Sequence, residues 1–344
     1  MFDHLGDLLF ATVAGGPNGA GALYKQSPFS GDPIIIYAFA GLTSTGQPQD
    51  GAAPLVNIIR DKAGNMYGTT AAGDGVRPDE NLFCLDLEGG CGTVFKIDEK
   101  THKETILHSF NRDDGQVGFG IGLDDAGNIY GTVNEGIANS GCKIGLDSIG
   151  CGAVFKINPA GNYSIVHSFS HRFIPPFKPP PGVPPPGLEV LGDTPSTIIV
   201  EPDGTVFGVA QAGGNFGLGL IFKIDPSGNY SILHHWAGPI DGWNTQALIL
   251  KNGKLYGANA NGGDILNCGF GGGCGTIFQI DVVTGDFKVL HTFHSITEGE
   301  APTAIFIDQD GNLFGSNAFG GDLNDVDSNC LGLGCGTIFK LSLR

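Results

Sequence analysis

Basic residues are scarce in this chain: 18 Lys and Arg stand against 35 Asp and Glu over 344 residues, for a formal net charge of −17. A surface that acidic repels phosphate backbones and anionic headgroups, which argues against nucleic acid and charged bilayers as partners. Long hydrophobic runs are missing too. No 18 consecutive apolar residues occur, so insertion into a membrane as a helix is not expected. No segment sustains a 3.6-residue period, which leaves little room for helix of any kind. Neither CxxC nor CxxCH occurs among the 8 cysteines, so dithiol redox chemistry and covalent haem attachment fall away. What the chain has in quantity is glycine, 58 residues, within a composition that is 41% hydrophobic. Short strands joined by tight turns use that mixture.

One phrase returns six times. "GCGTVFKID" (90–98) comes back as "GCGAVFKIN" (150–158), "GLIFKID" (219–225), "GCGTIFQID" (273–281) and "GCGTIFKLS" (334–342), with "GAGALYK" at 19–25. Its aromatic residue falls at Tyr24, Phe95, Phe155, Phe222, Phe278 and Phe339, spaced by 71, 60, 67, 56 and 61 residues. A fixed supersecondary unit with loops of variable length produces such spacing. Each unit holds four segments. An apolar run such as "APLVNIIRD" (53–61) leads through a turn such as "DAGN" into "MYGTT" or "LYGAN"; the phrase follows, and then "TILHSF" (105–110), "SIVHSF" (164–169), "SILHHW" (231–236) or "KVLHTF" (288–293). These segments are short, rich in Val, Ile, Tyr and Phe, and bounded by Gly, Asp or Asn, as strands are. Four antiparallel strands per unit, repeated, predict an all-β fold, a six-bladed β-propeller. The expected organisation is one domain, 1–344, with units of approximately 1–51, 52–115, 116–187, 188–242, 243–299 and 300–344.

The count is two strands short. "FDHLGDLLFAT" aligns with "IDQDGNLFGSN", so unit one begins at the end of its first strand, and unit six stops after its third. About 22 strands are expected where six full blades need 24. Three explanations stay open: a strand removed from upstream, a thin seam blade, or a strand donated by a neighbouring molecule, which would make the protein polymerise. "LLFATVA" near the start has the apolar character of a signal peptide, but its leading part is acidic and it aligns with the repeat; any export signal is expected upstream of Met1.

All cysteines fall between the second and third segments, as Cys84 with Cys91, Cys142 with Cys151, Cys268 with Cys274, and Cys330 with Cys335. Units one and four have neither member, and loss of both together is what a bonded pair predicts. Zinc would need four ligands converging, whereas these pairs sit in different blades. Four local disulfides are expected, and with them an oxidising compartment outside the cytoplasm. The unit "P…DxxGNxYGTT…GG…GCGTVFKID…LHSF…DG" resembles the Gloeobacter/Verrucomicrobia-type tandem repeat of choice-of-anchor bacterial surface proteins, over essentially the whole chain. That resemblance implies a secreted or surface-displayed propeller and brings no catalytic residues.

In a propeller the loops between second and third strands emerge with the blade-to-blade crossovers, and here they carry every disulfide and every long insertion. Ordered loops on a rigid scaffold commonly bind partners. The candidates are Asp241 and Trp243 in the crossover "PIDGWNTQ", and Phe216 and Phe270 in the loops. To these the proline-rich insertion "FIPPFKPPPGVPPPGLEV" (173–190) adds Phe173, Phe177 and Lys178 on a stiff polyproline II arm. Asp325, Asp327 and Asn329 have the first three ligand positions of a calcium loop, without the Gly and Glu that complete it, so a solvated acidic loop competes with a Ca²⁺ site. No other cofactor is indicated. His108, His167, His234 and His291 share one place in the fourth segment, where a recurring residue serves the blade. The expected function is an extracellular, non-catalytic structural or adhesive module. It would assemble into homo-oligomers or filaments through strand addition or the proline arm, and hold a surface glycan or protein. The alternatives are a secreted polysaccharide lyase or hydrolase, by fold analogy, and a glycan-binding lectin.

Overall fold

The structure, a computed structural model, describes residues 6–29, 31–41, 50–55, 57–73, 91–111, 114–135, 151–169, 171–172, 189–268, 272–321 and 334–343. Every regular element among them is a strand. Six antiparallel sheets follow one another along the chain, and the fold is a six-bladed β-propeller. Sheet one is Leu8–Thr12, Ala22–Gln26 and Ile34–Ala38. Sheet two is Ala52–Pro54 with Ile59–Arg60, Met66–Ala72, Thr93–Ile97 and Glu104–Ser109. Sheet three is Gln116–Leu123, Ile129–Glu135, Ala153–Ile157 and Tyr163–Ser168. Sheet four is Glu189–Val200, Val206–Gly214, Leu220–Ile224 and Tyr230–His235, widened by the two-residue strand His171–Arg172 that pairs with its first strand. Sheet five is Trp243–Lys251, Lys254–Asn261, Thr276–Asp281 and Phe287–Thr292; sheet six is Glu300–Ile307, Asn312–Phe319 and Thr337–Ser342. Among the described residues, sheet one lacks a strand of the first kind and sheet six one of the fourth, as the repeat count anticipates. The chain divides into two compact units, Met1–Ser170 with Thr194–Val206 and Ile224–Asn229, and His171–Asp193 with Phe207–Lys223 and Tyr230–Arg344.

Why the phrase recurs is now visible. Its strand is the third of the repeat unit, the second of the three described in sheet one, and in sheets two, three and four every residue of it but Lys is buried. The Lys keeps its charge outside by lying over the aromatic of the second strand: Lys96 over Tyr67, Lys156 over Tyr130 and Lys223 over Phe207, at 5.3–5.7 Å. The phrase's Phe sits across from the Gly of the "YGT" segment, and at Gly257 an added Cβ would stand 2.1 Å from the Phe278 ring. Only glycine leaves room there.

The "CG" that precedes the strand joins one sheet to the next. Its Gly carbonyl accepts the backbone N–H of the sheet's own fourth-strand aromatic, as from Phe110 to Gly92 and from Phe293 to Gly275. Its Cys carbonyl accepts an N–H from the following sheet, as from Val117 to Cys91 and from Ala301 to Cys274. The glycine also lies under the following sheet's first strand, where Pro195 presses on Gly152 and Pro302 on Gly275. Aromatic rings then bridge the sheets within each unit: Phe39 to Phe95 at 5.2 Å, Phe110 to Phe155 at 5.3 Å, Trp236 to Phe278 at 4.8 Å and Phe293 to Phe339 at 5.1 Å. Such tilted and edge-on pairs add to the area they bury.

Candidate functional site

The recurrent histidines meet the recurrent acids. His108 Nε2 is 2.8 Å from Asp114 Oδ2, His234 Nε2 is 2.9 Å from Asp241 Oδ2, and His291 Nε2 is 2.8 Å from Glu298 Oε1. In sheet one Tyr37 takes the histidine's place, and its hydroxyl donates to Asp50. Burial first, and then the Asp50 carboxylate, push the Tyr37 phenol far above its ordinary range. Each acid also accepts a backbone N–H as the chain turns between sheets: Asp50 from Ala40, Asp114 from Asn111, Asp241 from Ala237 and Glu298 from His294. The imidazoles of His108 and His234 stack on Tyr163 and Phe287, ring centroids 4.1 and 3.9 Å apart. The Gly after the acid is no less constrained. Gly242 has φ of 92°, and an added Cβ would meet Thr276 Oγ1 at 2.4 Å and Asn259 Nδ2 at 2.6 Å. That "DG" is therefore more than a turn: it locks one sheet onto the next.

The other repeated acid closes the first hairpin of the sheet. Asp61 accepts the N–H groups of Ala63 and Asn65, the Asn65 amide and the Tyr67 hydroxyl. Burial alone would raise its pKa, but these hydrogen bonds prevail and hold the carboxyl below its ordinary value. Asp124 makes the same set with Asn128 and Tyr130, whose phenol is pushed up to about 12 by burial and by that carboxylate. A shallow cavity of about 330 Å³ lies between these two turns, lined by Arg60, Lys62, Leu123 and Asp125 as well. Its acids are already engaged, and Lys62 pairs with Asp125 at 3.0 Å across its exposed rim.

Of the residues singled out from the sequence, Asp241 is only 6% exposed and is committed to His234 and Ala237, so it belongs to the sheet junction and not to an open surface. Trp243 is half-buried at the start of sheet five, opposite Asn261. Phe216 is 53% exposed in the loop after Val206–Gly214. Phe173, Phe177, Lys178, Phe270, Asp325, Asp327 and Asn329 lie outside the described residues. Among the described residues, no group of three or more His, Cys, Asp or Glu could hold a metal ion. Cys268 and Cys274 form the expected disulfide, with Cα atoms 5.3 Å apart. Cys91, Cys151 and Cys335 are also disulfide-bonded; their expected partners Cys84, Cys142 and Cys330 lie outside the described residues.

Three chain segments of the second unit gather where Phe216 stands. Gly263 donates its N–H to the Pro239 carbonyl at 2.7 Å, an added Cβ on Gly238 would touch Leu218, and one on Gly262 would strike Gly242. The loop 213–219, the crossover 237–242 and residues 262–268 thus form one cluster. It presents Phe216, Ile240, at 86% exposed, and Leu266, at 87%. Sequence reasoning passed over Ile240 and Leu266. Their signal was a large aliphatic among loop-forming residues, in "GPIDG" and "GGDILNC", with no strand to carry it inward.

Residues 187–344 match the family model of the Gloeobacter/Verrucomicrobia repeat. Over these residues the chain resembles that repeat. No curated protein matches the chain. Among solved structures, the chain is similar to one in the nidogen/laminin complex, with 12% identity, 90% of this chain and 85% of that one covered, and a TM-score of 0.50. It is also similar to the extracellular domain of the hybrid two-component system BT4673 from B. thetaiotaomicron, with 9% identity, 92% of this chain and 30% of that one covered, and a TM-score of 0.52. At these identities the likeness is one of fold.

Proposed function

We propose that this chain is an extracellular, non-catalytic module that holds a partner at the cell surface through its disulfide-pinned loops. One observation carries this reading: Phe216, Ile240 and Leu266 are exposed on a loop cluster whose backbone is cross-linked by hydrogen bonds and by Cys268–Cys274. Large apolar side chains held rigidly in water lose little entropy on binding. The acids that could attract a chemical reading, by contrast, serve turns and junctions in every sheet where they are described. The disulfides support placement outside the cytoplasm, and no helix among the described residues is long and apolar enough to cross a membrane.

The test is cosedimentation of the purified chain with envelopes of the producing cells. The wild type should bind saturably, and Phe216→Ser/Ile240→Ser/Leu266→Ser should bind at least ten-fold more weakly with unchanged melting temperature. Equal binding by the two proteins would overturn the reading, as would a wild type that stays in the supernatant.

A further inference from the structure

The chain holds three Asn-Gly pairs, Asn18-Gly19, Asn252-Gly253 and Asn261-Gly262. In such a pair the glycine nitrogen can reach the asparagine side-chain carbonyl carbon, because no Cβ on the glycine stands in its way. The structure treats the three differently. The Asn18 amide donates to the Phe39 carbonyl at 3.0 Å, and the Gly19 N–H to the Gly16 carbonyl. Asn261 Oδ1 accepts the Asn244 amide at 3.0 Å, and the Gly262 N–H donates to the Gly272 carbonyl at 2.7 Å. Asn252 and Gly253 have none of these restraints. They are the exposed two-residue tip of the hairpin between Trp243–Lys251 and Lys254–Asn261, where Lys251 pairs with Lys254. Both have positive φ, 54° and 71°, as a type I′ turn requires. The hydrogen bond of such a turn joins the flanking residues. It leaves the Asn252 side chain and the Gly253 N–H free, and neither has a partner among the described residues. A Cβ built on Gly253 would meet nothing within 4 Å.

We propose that Asn252 is a site of spontaneous covalent modification, converting to aspartate and isoaspartate through a cyclic imide while Asn18 and Asn261 keep their amides. The Gly253 nitrogen gives up its proton to solvent and bonds to Asn252 Cγ. The Cγ–Nδ2 bond breaks, and the leaving nitrogen takes a proton from solvent and departs as ammonia. Water then opens the imide. Attack at Cγ breaks the bond just formed and gives aspartate. Attack at the Asn252 main-chain carbonyl breaks the original peptide bond instead, so the chain runs on through Cγ as isoaspartate. Either product adds a negative charge to the hairpin tip. Isoaspartate also lengthens the main chain by one carbon inside a turn of two residues. The Gly253 carbonyl lies just beyond that carbon and accepts the Val282 N–H at 3.0 Å. The modification therefore reaches from this hairpin into the turn between the third and fourth strands of the same sheet.

The test ages the full chain at mildly alkaline pH, digests samples over time and sequences the fragments by electron-transfer mass spectrometry, which separates aspartate from isoaspartate. Asn252 should convert at least ten-fold faster than Asn18 or Asn261. In the urea-unfolded chain the three rates should converge, because only the fold separates them. Asn252→Gly keeps a residue suited to positive φ, so it should leave the melting temperature unchanged and remove the isoaspartate of the aged chain. In the converted fraction, isolated by ion exchange, the Val282 amide should exchange its hydrogen faster than in fresh protein. A folded chain in which the three pairs convert at one rate overturns the proposal, as does one in which Asn252 keeps its amide. A ranking that persists in urea overturns it as well, since the fold would then not be the cause. Val282 exchange as slow as in fresh protein would overturn the reach into the second turn.

Discussion

The junction that follows sheet four and the histidine that ends sheet three occupy one position in the repeat and solve it differently. His234 has a carboxylate partner in Asp241, stacks on Phe287, and leaves the acid buried with two hydrogen-bonded donors. His167 is half-buried at the same place in the repeat. Counting back from the shared positive-φ residue, Asn244 after Asp241 and Thr194 in the other case, the position of the acid falls to Leu191. Burial drives the His167 pKa from 6.5 down to about 4. The inner strands show the same alternation. In sheet five Asn259 donates to Thr276 and to the Asp241 carbonyl and accepts from Thr245, where sheet four has Ala210 and Leu220. A repeat position specifies a shape, and either a polar network or an apolar pair can fill it.

Breaking the polar version is expected to cost most. Asp241→Ala leaves the His234 N–H and the Ala237 N–H without their acceptor and should destabilise the chain by about 3 kcal/mol in urea unfolding. The double change His234→Leu/Asp241→Leu should cost less than the sum of its parts, because it removes donor and acceptor together.

The half-buried His167 sharpens the comparison through pH. Its folded pKa is lowered, so the unfolded chain binds more protons between about 4 and 6.5. The stability held by neutral His167 is complete above 6.5 and is lost as pH falls through that window, by up to about 3 kcal/mol. Between pH 7.5 and pH 4, the stability difference between wild type and His167→Phe should shift by most of that amount in favour of the variant. A constant difference across the range would refute the half-buried neutral imidazole.

Asn259→Ala should cost about 2 kcal/mol by leaving the Thr245 hydroxyl without its acceptor and the Asp241 carbonyl with the Thr276 hydroxyl alone. Adding Thr276→Leu takes the second side-chain donor from the Asp241 carbonyl and should deepen the loss, which thermal melts of both would show. At the small end, Lys62→Ala removes an ion pair whose two side chains are largely in water. It should change stability by less than about 0.5 kcal/mol, since exposed pairs gain little.

Much of the architecture is legible in the residues because the repeat writes it six times. Alternating apolar segments, "DxxGN" turns and paired cysteines each act locally, and local signals survive without knowledge of neighbours. The candidate surface was legible only in part. Phe216 was found in its loop, but Asp241 looked like a free acid, because nothing in "PIDGW" says that a histidine seven residues earlier turns back to meet it. Ile240 and Leu266 were missed because an aliphatic residue declares itself exposed only once the core is known to be full.

The amino-acid order alone determined the number of sheets, the strands within each and the Cys268–Cys274 pair, since backbone propensity and short loop closure decide these over a few residues. Tertiary structure decided which charges are buried partners and which apolar side chains face water. Those assignments depend on how one sheet's fourth strand meets the next sheet, a contact between residues whose spacing varies from unit to unit and whose energy exists only when both surfaces are in place.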